Sequence, residues 1–261
     1  DIHASSIMAA INKQAAHNNI KSLVQVFPNV WATASEYPFG GSVTETRAFL
    51  LQRGKGRGNA LVYSSSRIKN YVDEIQRGGV SRQLLNHRDE ASAFCNILDG
   101  APVFCHTLEK EAIENKGCTV GATFDGKVME LGGKDLMAYH TPGHTPGVTS
   151  YLFRNQEKYN KKIQQQQQQN NNPEGSIDDN NDDDENTSIL FVGDTLYTNQ
   201  QGTLSPAPLQ FHSYPGNKQD MIETFQFYLQ LNPTYLICGL SQYGEDGFVQ
   251  KFQPDAIQTI I

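Results

Sequence analysis

The chain lacks most of what a disulfide-built domain, a membrane protein or a nucleic-acid binder requires. Cysteine is scarce, four in 261 residues, and Cys95, Cys105, Cys118 and Cys238 lie far apart with no Cys-x-x-Cys pair. Each sits in or beside an apolar run, so they are expected to be buried reduced thiols, which points to an intracellular compartment, cytoplasmic or organellar. No apolar run approaches the ~20 residues of a membrane-spanning helix, which excludes a membrane partner. No charged-then-apolar leader is visible either, although the chain opens at Asp1 and an N-terminal targeting segment can be absent from it. An excess of basic charge is also missing. Lys and Arg number 21 against 28 Asp and Glu, a formal charge of −7. Residues 156–187 alone carry eight acids and three lysines, or −5, so the body of the chain is near neutral at −2. Such a body has no footprint for a phosphate backbone, which excludes nucleic acid and leaves a small-molecule substrate of unknown identity as the expected partner.

What is present is a strand-rich chain with 38% hydrophobic residues, long enough for one sizeable core, and residues 1–261 are read as a single domain. Short apolar runs at 30–34, 47–51 and 59–63, set apart by Gly-rich turns, predict a β-meander. Strand and helix then alternate: helix over 68–76, strand at 83–85, helix from about 89 to 98, strand at 102–106, helix over 108–115. Further strands are expected at 118–123, 127–131, 136–139, 148–153, 189–192 and 235–238, and an amphipathic helix over 218–231. A short helix is permitted within 5–23. The Gln/Asn/Asp-rich stretch 156–187 cannot bury enough apolar surface to offset its ordering entropy and is expected to be a disordered insert. It interrupts a hairpin formed by the strands at 148–153 and 189–192, at the end away from the residues that follow.

Those residues carry the chemistry. His140-Thr-Pro-Gly-His144-Thr-Pro-Gly147 sets a histidine in a Pro-Gly turn after one strand, and Ile189-Leu-Phe-Val-Gly193-Asp194 sets an aspartate at the end of another. Donors aimed this way into one cleft suit a metal ion. A third segment, Leu85-Asn86-His87-Arg88-Asp89-Glu90, adds a histidine and two carboxylates. Together the three segments resemble the metallo-β-lactamase superfamily, and Thr141-Pro-Gly-His144-Thr its glyoxalase-II-like branch; the resemblance covers about residues 30 to 245. It implies an α/β fold, an αββα four-layer sandwich of two mixed β-sheets with outer helices. It also implies His87, His144, Asp194 and Asp89 as metal ligands, matching the second histidine and the aspartate of the family's His-x-His-x-Asp-His motif, its turn histidine and its bridging aspartate.

Three family positions are filled otherwise. Leu85 stands for the first motif histidine, Glu90 for the last, and Leu240 for a histidine near the end of the chain. Leucine has no lone pair to give. The surviving set of His87, His144 and Asp194, with Asp89 and Glu90 as further oxygen donors, suits one divalent ion at most, Zn²⁺ or else Fe²⁺ or Mn²⁺. Asp89 is the candidate catalytic base. Two readings stay open: a one-metal hydrolase of an ester, thioester or lactone, and a metal-free, catalytically inactive relic that serves as a binding module. Asp89 and Glu90 also suit a helix start with no metal present. His3, His17, His106, His140 and His212 are read as ordinary structural residues, His140 ending a strand and His106 opening a helix.

Overall fold

A computed structural model describes residues 22–38, 43–54, 56–77, 79–91, 95–154 and 187–261. The insert expected over 156–187 and the helix permitted within 5–23 therefore fall, almost entirely, outside the described residues.

The first half is built on β1 (Val24–Phe27), β2 (Val30–Ala32), β3 (Glu45–Thr46), β4 (Phe49–Leu51) and β5 (Asn59–Val62), then α1 (Val72–Arg77) and β6 (Val80–Leu84). It continues through β7 (Val103–His106), α2 (Thr107–Asn115) and β8 (Val120–Phe124). All of these strands except β3 form one mixed sheet in the order β1-β2-β4-β5-β6-β7-β8, antiparallel through β5 and parallel from β5 onward. The second half supplies β9 (Val128–Glu130), β10 (Leu136–His140), β11 (Thr149–Arg154), β12 (Ser188–Gly193), β13 (Leu196–Thr198) and β14 (Leu204–Pro206). After them come α3 (Asn217–Leu231), β15 (Tyr235–Cys238), β16 (Leu240–Ser241), β17 (Val249–Lys251) and α4 (Pro254–Ile260). A second mixed sheet runs β17-β15-β12-β11-β10-β9, with β12 and β15 parallel.

The layers follow from which faces are apolar. Alternate residues of both sheets, among them Phe49, Val62, Leu84 and Phe104 from the first and Ala138, Tyr151, Phe191 and Ile237 from the second, meet in one buried cluster between the sheets. The outer face of the second sheet packs Leu152, Leu190 and Leu236 against α3 and α4. In α3 the buried Met221, Thr224, Phe225 and Tyr228 recur at helical spacing, each large apolar side chain contributing about 1.5–3 kcal/mol on burial. The helix stops at Asn232, whose left-handed φ of 46° turns the chain away. On the outer face of the first sheet, Ile68, Tyr71 and Ile75 cover Leu50 and Leu61, while Ile113 of α2 covers Leu85, Val103 and Cys105. Helix, sheet, sheet, helix is the expected four-layer order.

Three expectations change. Beside the two large sheets lies a small third one, β14-β13-β16-β3, whose strands are two or three residues long. The helix expected from 89 to 98 is, where described, a single 3-10 turn over Arg88–Glu90 that ends at the extended Ala91. Cys95 and Cys118 are not reduced thiols: they form a disulfide with Cα atoms 5.5 Å apart, while Cys105 and Cys238 are free and buried. Sequence spacing could not show that Cys95 lies against Cys118 just past α2. Among the described residues no helix is long and apolar enough to cross a membrane.

Candidate metal centre

Three chain reversals at one end of the sandwich build the cleft. β6 runs into the sheet interior, Leu85 N–H adds one more bond to Phe104 O at 3.0 Å, and the chain then leaves the ladder. Asn86 N–H donates to Glu90 Oε2 at 2.7 Å, which curls the 3-10 turn back on itself. Asn86 also joins the start of β11, accepting Thr149 N–H at 2.9 Å and donating its side-chain amide to Thr149 O. His87 is left at the bottom of the cleft with no solvent exposure.

The second reversal is the turn between β10 and β11, closed by Thr141 N–H to Val148 O at 2.9 Å, and it carries His144. Gly143 sits at φ 143°, where a Cβ would come within 2.8 Å of Met221 Cα, so the turn lies directly on α3. The third reversal follows β12. A Cβ on Gly193, at φ 57°, would overlap the Asn86 amide at 1.9 Å, so only glycine lets Asp194 approach the first wall. Tyr63, buried between the sheets, fixes that approach: its hydroxyl accepts Gly193 N–H and donates to Ile237 O, both at 2.9 Å.

One residue absent from the sequence reading ties two of these reversals together. Glu109 of α2 is fully buried and accepts Arg88 N–H at 2.9 Å, Arg88 Nε at 2.7 Å, Thr145 Oγ1 at 3.0 Å and Gly147 N–H at 2.8 Å. Its neighbours Arg88 and Thr145 each adjoin a candidate ligand. Burial alone would raise its carboxyl, but the Arg88 guanidinium more than offsets that and holds it below its usual range.

The candidate ligands converge. His87, Asp89 and His144 bring donor atoms within 4.8 Å of one another, and so do His87, Glu90 and Asp194. His87 Nε2 lies 3.5 Å from Asp194 Oδ2 and 3.7 Å from Asp89 Oδ2. Donors sharing a tetrahedral zinc with bonds of ~2.0–2.2 Å stand about 3.4 Å apart, so this spacing fits one ion. Nδ1 of the same ring faces the other way, 3.6 Å from Glu90 Oε1. Among the described residues neither nitrogen of His87, nor His144 Nδ1, nor Glu90 Oε1 has a hydrogen-bond partner, although all are buried. Orphaned buried donors and acceptors of this kind cost about 1–3 kcal/mol each unless something binds them.

The charges agree with a cation site. Burial works against a charged His87, yet Asp194, Glu90 and Asp89 around it raise its pKa to about 9. Burial lifts Glu90 to about 7 and also raises Asp194. Burial, with His87 and His212 nearby, pushes His144 down to about 3, so its ring is neutral with a lone pair to offer. Asp89 is the reverse case. Despite partial burial, Lys116, His87 and His212 hold its carboxyl well below the usual range.

The structure also places residues at the site that the sequence reading passed over. Lys116, just past α2, donates to Asp89 Oδ1 at 2.8 Å. His212, in a 3-10 turn between β14 and α3, hydrogen-bonds Asp89 Oδ2 and so stands beside the candidate ligands, where the sequence reading found it no ligand-spaced neighbour. No motif spacing marks it, since it is 123 residues from Asp89. Leu85 is sealed in the cluster below α2 and Leu240 is half-buried in β16, so neither lost position offers a donor. His106 caps α2, accepting Leu108 N–H at 3.3 Å, and stacks on His140 at 4.0 Å.

Comparison with solved structures decides the fold. A DIM-1 metallo-β-lactamase exposed to ceftazidime superposes with a TM-score of 0.60 at 14% identity, over 92% of this chain and 95% of that one. The chain has the metallo-β-lactamase fold. A metallo-β-lactamase from Pontibacter korlensis gives 0.57 at 16% identity over 91% and 95% of the two chains, and the subclass B3 enzyme MEM-A1 from a soil metagenome library 0.54 at 15% over 94% of each. The sequence matches no protein-family model and no curated protein.

Proposed function

We propose that the cleft is a one-metal hydrolase site for a small ester, thioester or lactone, on the glyoxalase-II-like side of the fold. One observation carries the reading: two buried imidazoles with unpartnered nitrogens stand beside Asp89 and Asp194 at the donor spacing of one tetrahedral ion. His87 through Nε2, His144 and Asp194 would hold it, which leaves a position for water, with Asp89 beside them. A bound Zn²⁺ lowers the pKa of a coordinated water to ≈ 7 and polarises a carbonyl oxygen. Glu90 faces Nδ1 of His87, the far side of the ring, and so orients that ring as an outer carboxylate rather than a ligand. Asp89 stays ionised and accepts a hydrogen bond from the attacking water. The Lys116 ammonium on Asp89 Oδ1 stands where a second cation would need that carboxylate, which agrees with one ion rather than two.

The test is elemental analysis of protein purified without chelator, together with hydrolysis of a nitrophenyl ester, a thioester, a lactone and a cephalosporin. One ion per chain and turnover of the ester or thioester are expected; two tightly held zinc ions would refute the one-metal reading. The sealed Leu85 favours a second reading, a metal-free binding module of the same fold. Folded protein that takes up no Zn²⁺, Fe²⁺ or Mn²⁺ would establish it.

A further inference from the structure

We infer that His212 supplies a third imidazole to this metal centre, so that the site is completed by the segment between β14 and α3 instead of by the family motif. The inference rests on the one-metal reading above. His212 itself lies outside that motif, 123 residues from Asp89. His144 is flanked edge-on by two rings, His87 at 4.9 Å and 75° and His212 at 5.1 Å and 87°. The three imidazoles therefore stand in a row along Asp89, and the outer two converge on the same atom: Asp89 Oδ2 faces His87 Nε2 at 3.7 Å and accepts from His212 Nε2.

A role in packing does not account for this arrangement. His212 keeps 24% of its side-chain exposure, and its ring stands edge-on to His144 at 5.1 Å. His144 Nδ1 is buried and unpartnered beside it, as are both nitrogens of His87. Two of the three histidines missing from the motif positions are replaced by leucine, and a third nitrogen donor restores a set that holds zinc more firmly than oxygen donors alone.

The experiment titrates metal-free full-length chain with Zn²⁺ by calorimetry and with Co²⁺ by visible absorption, for the wild type, His144→Ala, His212→Ala and His212→Gln. Gln keeps a donor for Asp89 but offers no imidazole. Thermal melts of the metal-free variants check that each is folded, and the half-buried position of His212 at the cleft rim predicts melts close to wild type. The expected result is a loss of Zn²⁺ affinity of more than about 100-fold in both His212 variants, beyond the 10–100-fold typical of an outer hydrogen-bond partner, with an altered Co²⁺ spectrum. Wild-type affinity in His212→Ala, or rescue by His212→Gln, overturns the inference while loss in His144→Ala leaves the one-metal reading standing. A folded wild type that binds neither ion overturns both.

Discussion

The floor and the rim of the cleft are built differently, although one short segment supplies both. Leu85, Asn86 and His87 are fully buried, and their neighbours are the sheet interior, Thr149 and Tyr151. Asp89 keeps 37% of its side-chain exposure, and its partners Lys116 and His212 keep 42% and 24%. The floor has polar groups that must be satisfied inside the protein, whereas the rim groups have water as a substitute. Floor residues therefore bear mainly on stability, His87 on metal as well, and rim residues on metal and substrate.

The largest effect is expected beneath the floor, at Glu109→Gln. The neutral amide cannot answer the Arg88 guanidinium, and breaking a buried pair costs about 3–5 kcal/mol, toward the lower figure here because Arg88 is partly exposed. Urea unfolding at neutral pH measures it, and a variant within about 0.5 kcal/mol of wild type would refute the clamp. A pH series adds the sign. The folded Glu109 carboxyl lies below its usual 4.5, so its contribution is present above that pH and is lost as pH falls through the folded value. Wild-type stability should accordingly drop below pH 4.5 more steeply than that of the variant.

Next comes the disulfide that underlies the same floor. Cys95 and Cys118 share a buried cluster with Leu85, and the bridge closes 23 residues of chain. Loop-closure entropy puts its removal at about 3 kcal/mol, so Cys118→Ser, or the wild type under reductant, should melt several degrees lower. A melt indifferent to reductant would show that the thiols are not paired. The bridge also removes the reason for placing this chain in a reducing compartment, since paired cysteines belong mostly to oxidising ones.

How far the sequence revealed the site follows the same division. Strands and helices with a clear apolar period were legible: Tyr235–Cys238 falls where expected, and α1, α2 and α3 lie within a few residues of their predicted spans. So were His87, Asp89, His144 and Asp194, because Pro-Gly and Gly-Asp turns have local signatures and the motif spacing is short. Glu109 was not legible, since a glutamate in the first turn of a helix looks solvated until the fold brings Thr145 and Arg88 to it. Nor were Lys116 and His212, whose meeting at Asp89 depends on three separate crossovers and on no local pattern. The disulfide was missed for the same reason, as 23 residues and two reversals separate its halves. Local chemistry can be read along the chain, and convergence from distant elements cannot.

The smallest expected effect sharpens the contrast most, because it sets two lost histidine positions against each other. Leu85→His buries an imidazole among Val103, Cys105 and Ile113, and one unsatisfied group there costs about 2 kcal/mol. Leu240→His instead falls on the half-buried β16, opposite Thr46, where the ring can reach water and stability should stay within about 0.5 kcal/mol of wild type. Despite its tolerance, Leu240→His should still bind one ion. A second would need Asp89 Oδ1, which Lys116 holds at 2.8 Å, and a nitrogen donor where Glu90 now stands behind His87. Adding Lys116→Ala removes only the first obstacle and should leave the ion count unchanged. Two ions in Leu240→His alone would mean that the rim, not the floor, decides how many metals this cleft holds.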